Sequence, residues 1–176
     1  MDTTVAILLR RTKLSDTSFI VTWFTEAHGK IKTVAKGARR PKSAFAGKLD
    51  LFFTAEIAFT RSKKSELHTL REVALQNSRE GLRTEYRRVQ LGAYFVELME
   101  LVTESDHAEP GLYDLLKRAL DYLDANAATK KALLHFESEL SRLLGIRDEK
   151  QASAARAIGH VAGRLPRGRS ELLAAL

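Results

Sequence analysis

The sequence predicts an α+β chain of two domains, a small N-terminal β-barrel over residues 1–80 and an α-helical domain over 81–176. Three observations carry this. Apolar residues recur with period two in short runs up to about residue 75, and with period 3.6 from about Leu82 onward. The net charge of +7 lies wholly in the first part: residues 1–80 hold 15 Lys and Arg against 8 Asp and Glu, and residues 81–176 hold 14 of each. Finally, 176 residues with 44% hydrophobic composition can bury a core without staples, and the chain has no cysteine with which to make them.

Taken in order, "TTVAILLR" opens the chain as a strand. The acid at Asp2 and an apolar run of about five residues do not fit a secretory leader. "SFIVTWFT" is apolar on both alternating faces, as a buried strand is. "EAHGK" then places Gly29 where a tight hairpin needs positive φ. In "KIKTVAK", Ile31, Thr33 and Ala35 share one face, with Lys30, Lys32, Val34 and Lys36 on the other. "LDLFFTAEIAFTR" turns Leu51, Phe53, Ala55, Ile57 and Phe59 inward and Thr54, Glu56 and Thr60 outward. "ELHTLREVAL" is the fifth strand, and "QNSREG" (76–81) marks the boundary. Five short strands with no long helix among them predict a small barrel, for which the OB-fold is the commonest five-stranded form.

The second part reads as helices. Leu91, Tyr94, Phe95, Leu98, Met99 and Val102 form one apolar stripe. Leu112, Leu115, Leu116, Ala119, Leu120 and Leu123 form a second, entered at Pro110, which a first helical turn tolerates. Leu133, Phe136, Leu140, Leu143 and Leu144 form a third, ending near Gly145. An Ala-rich tail follows, in which Ser170 is placed to cap a last short helix.

Several chemistries find no support. No run approaches the roughly 18–20 apolar residues of a membrane helix. Without cysteine there is no thiolate metal site, and the composition fits a cytosolic, soluble chain with no membrane association. His28, His68, His107, His135 and His160 are widely spaced and form no ligand pair. No nucleophile elbow, P-loop or zinc-protease motif occurs. Glu97, Glu100 and Glu104 follow helical spacing on a polar face. The reading is non-enzymatic, with no cofactor.

What stands out is "TVAKGARRPKSAFAGKL". From Ala27 to Leu49 there are seven cations and no acid: Lys30, Lys32, Lys36, Arg39, Arg40, Lys42 and Lys48. Like charges so gathered repel and weaken a compact state. Lysines do protect strand edges from aggregation. But the small residues Gly37, Ala38, Ser43, Ala44, Ala46 and Gly47 let backbone amides and cationic tips approach a phosphate chain closely. Arg10, Arg11 and Lys13 extend the same surface, a counterion-releasing track for nucleic acid. Among the aromatics, those at strand spacing read as core, and Phe45, inside the basic loop, is the stacking candidate. In the helical part, Lys117, Arg118, Lys130 and Lys131 beside apolar stripes fit either an ordinary solvated face or a site for an acidic, hydrophobic peptide tail.

"SDTSFIVTWFTEAHGKIKTVAKGARRPKS", "LGAYFVELMELVTE", "GLYDLLKRALDYLD" and "FESELSRLLGI" together resemble the bacterial recombination-mediator RecO family over about residues 1–146, most specifically in "VAKGARRPKS". The resemblance implies an N-terminal OB-fold and a following helical domain. It also implies binding of single- and double-stranded DNA, annealing of complementary strands, partnership with RecR, and recognition of the acidic C-terminal tail of the single-stranded DNA-binding protein SSB, so that RecA loads on coated DNA. By that match Lys36, Arg39, Arg40 and Lys42 contact phosphates, and Lys117, Arg118, Lys130 and Lys131 are assigned to the tail. Many family members carry a four-cysteine zinc ribbon after the "LLG" helix. Here "IRDEKQASAARAIGHVAGRLP" stands in that place, and a four-thiolate zinc site is excluded by composition. The rival to the DNA-binding mediator is an RNA- or ribosome-binding OB protein, which the basic barrel alone supports equally.

Overall fold

In the computed structural model, which describes residues 1–147 and 153–176, the chain divides into two units. One comprises Met1–Ser78 with Thr103–Tyr113, and the other Arg79–Val102 with Asp114–Leu176. The first contains five strands: β1 (Asp2–Lys13), β2 (Phe19–Thr25), β3 (Gly29–Ala35), β4 (Thr54–Thr60) and β5 (Leu67–Asn77). They close into a barrel in the order β1-β2-β3-β5-β4, with every neighbouring pair antiparallel except β3 and β5. The architecture is α+β, an OB-like barrel followed by helices, as the two periodicities predict.

β1 serves two neighbours. Asp2–Ile7 pairs with β4, and Ala6–Lys13 pairs with β2. The register shifts between Leu8 and Arg10, a bulge of the kind that bends a strand from one partner to the next. The interior holds Leu8, Val21, Trp23, Ile31, Ile57 and Phe59, all at most 1% exposed. The indole N–H of Trp23 donates to Thr33 Oγ1 at 3.0 Å, so the polar atom of a 0%-exposed ring is satisfied inside the barrel. Thr54, expected to face outward, is buried, because β4 begins there and pairs with both β1 and β5. Leu51 precedes the strand in a turn and packs against the core from the mouth.

Topology determines where the basic stretch runs. β3 and β4 are consecutive in sequence but are separated by β5 in the barrel, so residues 36–53 must cross the barrel's end. The same end receives the last residues of β1 and the first of β2, through the register Lys13↔Phe19↔Ala35.

The opposite end carries the return segment 103–113, which no periodicity in the sequence assigns to the barrel. Gly29, at φ 70, allows it: a Cβ there would stand 1.9 Å from the His107 carbonyl oxygen. The amide of Asp106 donates to Lys30 O at 2.9 Å, and the outward-facing ring of Phe24 lies 6.0 Å from that of Tyr113. Arg61 ties the end together, donating to Asp2 at 2.7 Å and to Asp106 at 2.8 Å.

The second unit has a 3-10 turn (Leu82–Thr84) and helices α1 (Tyr86–Val102), α2 (Pro110–Ala125, whose first turn belongs to the barrel unit), α3 (Lys130–Leu143), α4 (Ala154–Ala162) and α5 (Arg169–Ala175). In its core Phe95 of the first apolar stripe, on α1, stacks on Phe136 of the third, on α3, at 4.1 Å. Thr129 caps α3 by accepting from the Ala132 amide at 3.1 Å, and Ser153 caps α4. α5 is not capped by Ser170 as expected. Gly168, at φ 84, is its N-cap, and Ser170 lies inside the first turn. Residues 148–152 of the "IRDEKQASAARAIGHVAGRLP" stretch lie outside the described residues.

Candidate nucleic-acid interface

Residues 35–48 wind through successive tight turns, with amide-to-carbonyl bonds Ala38→Ala35, Arg40→Gly37, Ser43→Arg40, Ala46→Ser43 and Lys48→Phe45 of 3.0–3.3 Å. Gly37 and Gly47, at φ 71 and 72, supply the left-handed corners. Three further bonds join this loop to the β1–β2 loop. Gly37 N–H donates to Ser18 Oγ at 3.2 Å, Arg39 N–H to Thr17 O at 2.9 Å, and the Arg39 guanidinium to Ser15 O. The cations are therefore held on a shaped frame.

Their side chains fall into two groups. Lys13, Lys32, Lys36, Arg40 and Lys42 are exposed, and among the described residues none of their charged ends has a hydrogen bond or a carboxylate partner. Lys48 is half-buried, and Arg10 is exposed on the outer row Arg10↔Thr22↔Lys32. The others carry structural duties. Lys30 is half-buried and its ammonium donates to Thr103 O at 2.7 Å, which directs it to the return segment at the opposite end of the barrel from the loop. Arg11 donates to Leu49 O at 2.6 Å and lies over the Phe19 ring at 4.5 Å, with the Arg39 guanidinium 5.8 Å from the same ring. Phe45 is half-buried and packs against the barrel core with Phe19, Ala38 and Leu51, so part of its surface serves the fold.

The opposite barrel end has its own electrostatics. The Arg61 hydrogen bond holds the Asp2 carboxyl below the usual carboxylate range. Arg61 also approaches His28 Nδ1 at 3.1 Å, and buried His68 accepts from the Ser62 amide at 3.2 Å. The sequence separates these residues so widely that nothing in it announces the cluster. Among the described residues, no group of three or more metal-ligating side chains comes together.

In the helical unit, α2 and α3 border a groove of about 540 Å3 lined by Phe95, Leu115, Ala119, Tyr122 and Phe136, with Arg118, Lys131 and His135 among its lining residues. Of the four cations assigned to a peptide tail, the structure brings Arg118 and Lys131 to this groove. Lys117 does not line it and pairs with Asp121 at 3.0 Å, and Lys130 is exposed and does not line it. Arg118 itself pairs with Asp114 at 2.7 Å. Elsewhere in the helical unit, buried Glu137 accepts from the Tyr94 hydroxyl and, two-pronged, from the Arg169 guanidinium at 2.6 and 2.8 Å. Burial first, and then the Glu137 contact, push the Tyr94 hydroxyl well above its ordinary range.

The chain matches the family models "Recombination protein O N terminal" over residues 1–79 and "Recombination protein O C terminal" over residues 83–154. It is 35% identical over 141 residues to the DNA repair protein RecO of Rhodopirellula baltica, covering 80% of this chain and 52% of that protein. It is 33% identical over 144 residues to that of Salinibacter ruber (81% and 55%), and 31% identical over 150 residues to that of Geobacter sulfurreducens (85% and 61%). The chain thus spans about half the length of the curated relatives it matches. With both family models matched in order on a barrel and a helical unit, the chain belongs to the recombination protein O family of DNA repair proteins.

Proposed function

We propose that this chain is a non-enzymatic, DNA-binding recombination mediator. The loop-bearing end of its barrel holds the phosphates of single- and double-stranded DNA, and the α2–α3 groove docks the acidic, hydrophobic C-terminal tail of SSB. The observation that carries the DNA reading is the set of exposed, uncompensated cations, Lys13, Lys32, Lys36, Arg40 and Lys42, on one barrel with a hydrogen-bonded loop frame. A polyanion relieves their mutual repulsion and releases counterions on binding. The strand 2–3 face and adjoining loops of an OB barrel are where that architecture binds oligonucleotides. Annealing follows if two strands lie on one such surface at reduced repulsion.

The groove supports the second contact, since an apolar lining with Arg118 and Lys131 beside it suits an acidic, hydrophobic peptide tail. Docking there places the chain on SSB-coated DNA, where RecA loading with RecR takes place. Fluorescence anisotropy with labelled single-stranded DNA across a salt series, with an RNA of equal length as competitor and with the tail peptide added, tests the proposal. It predicts a steep salt dependence, DNA preferred over RNA, and direct peptide binding. Preferential RNA binding without peptide binding favours the RNA- or ribosome-binding alternative.

A further inference from the structure

Beneath the basic loop the barrel mouth holds a cleft of about 220 Å3, lined by Arg11, Phe19, Phe45, Phe53, Asp50 and the small residues Ala38, Ala46 and Gly47. It is smaller than the roughly 300–1,000 Å3 of a drug-sized ligand site, and its size suits a single ring system. Its lining is rich in flat groups. Phe45 and Phe53 line it, and so does Arg11, whose guanidinium is anchored on Leu49 O and held over Phe19. Backbone conformation is unusual here as well. Phe52, next to Phe53, is buried with φ 71, a genuine outlier for a bulky residue. The cleft lies under the loop whose Lys36, Arg40 and Lys42 side chains are exposed and uncompensated.

Resting on the reading of that loop as a phosphate track, we propose that the cleft is a base pocket: one unstacked nucleobase of a bound single strand inserts among Phe45, Phe53 and Arg11 while the flanking phosphates stay on the loop cations. Aromatic faces and guanidinium planes stack on any base, so the pocket adds affinity for single strands with little sequence preference. A duplex whose bases remain paired gains nothing from it.

The test uses two labelled oligonucleotides of equal length and phosphate number, one with bases and one abasic throughout, and measures both affinities by anisotropy. The wild-type protein is expected to bind the base-bearing strand roughly 5- to 100-fold more tightly, the range of one stacked base. Ala46→Leu, at an exposed position, fills the cleft while keeping every loop cation and is expected to remove most of that difference while leaving abasic affinity and salt slope unchanged. Phe45→Leu gives the same pattern through loss of the ring. If both variants bind the base-bearing strand as the wild type does, the pocket is overturned and the phosphate track stands. Equal loss on both strands also overturns it. Failure of the wild type to bind either strand removes the phosphate track and the pocket together.

Discussion

Neutralising three loop cations at once, Lys36→Gln, Arg40→Gln and Lys42→Gln, distinguishes a phosphate track from a merely basic surface. The magnitude follows from the number of free cations. Five side chains, Lys13, Lys32, Lys36, Arg40 and Lys42, are exposed without partners among the described residues. On single strands each neutralised phosphate contributes about 0.7 to the slope of log affinity against log salt, so five give about −3.5 and the two that remain give about −1.4. Raising salt from 50 to 200 mM then weakens wild-type binding about 100-fold and the variant's about 7-fold. At 0.1 M salt the variant itself binds about 100-fold more weakly. Anisotropy titrations at four salt concentrations read all three quantities. Thermal stability changes little, because these side chains hold nothing in place. A variant with wild-type slope refutes the assignment. Arg39→Gln is the informative contrast, since its guanidinium joins two loops and its loss loosens the frame.

Other predictions follow from particular contacts. Arg169→Met leaves the Glu137 carboxylate, 1% exposed, without its cation, which costs about 3–5 kcal/mol and lowers Tm by roughly 6–20 °C. Calorimetry showing an unchanged Tm contradicts this, and adding Glu137→Gln should restore part of the loss. Gly29→Ala drives a Cβ against the His107 carbonyl and should destabilise by about 2 kcal/mol, with faster amide exchange over residues 103–113. Lys131→Glu should weaken an acidic tail peptide about 10-fold by isothermal titration calorimetry, whereas Lys130→Glu, at a position that does not line the groove, changes it less than about 2-fold. Because Arg61 depresses the Asp2 carboxyl, their contact is fully present above the ordinary carboxylate pKa and is lost as pH falls through the lower folded value. Arg61→Ala should therefore raise the Asp2 pKa in an NMR carboxyl titration.

Much of this was legible in one dimension because the residues concerned are close in sequence. Alternation within β2 and β3, the Gly29 turn, the three helical stripes and the acid-free basic run are local patterns, and local backbone geometry dictates which side of an element each residue occupies. The errors are also informative. Thr54 is polar and alternation predicts it outward, but a strand start paired on both sides buries it. Ser170 is a good capping residue, yet Gly168, with its left-handed φ, is the N-cap.

The amino-acid order by itself determined two domains of different kind, the concentration of charge in the first, and the family to which the chain belongs. It did not determine which cations are available to a ligand. Lys30 and Lys36 look alike in the sequence, but one is bound to Thr103 O and the other is exposed without a partner. That division comes from barrel closure. Placing β5 between β3 and β4 forces the basic stretch across one end of the barrel, while the hairpin at the other end receives a segment some 75 residues downstream. Contacts between residues so far apart depend on how strands pair and which backbones approach, and no short window of sequence carries that information.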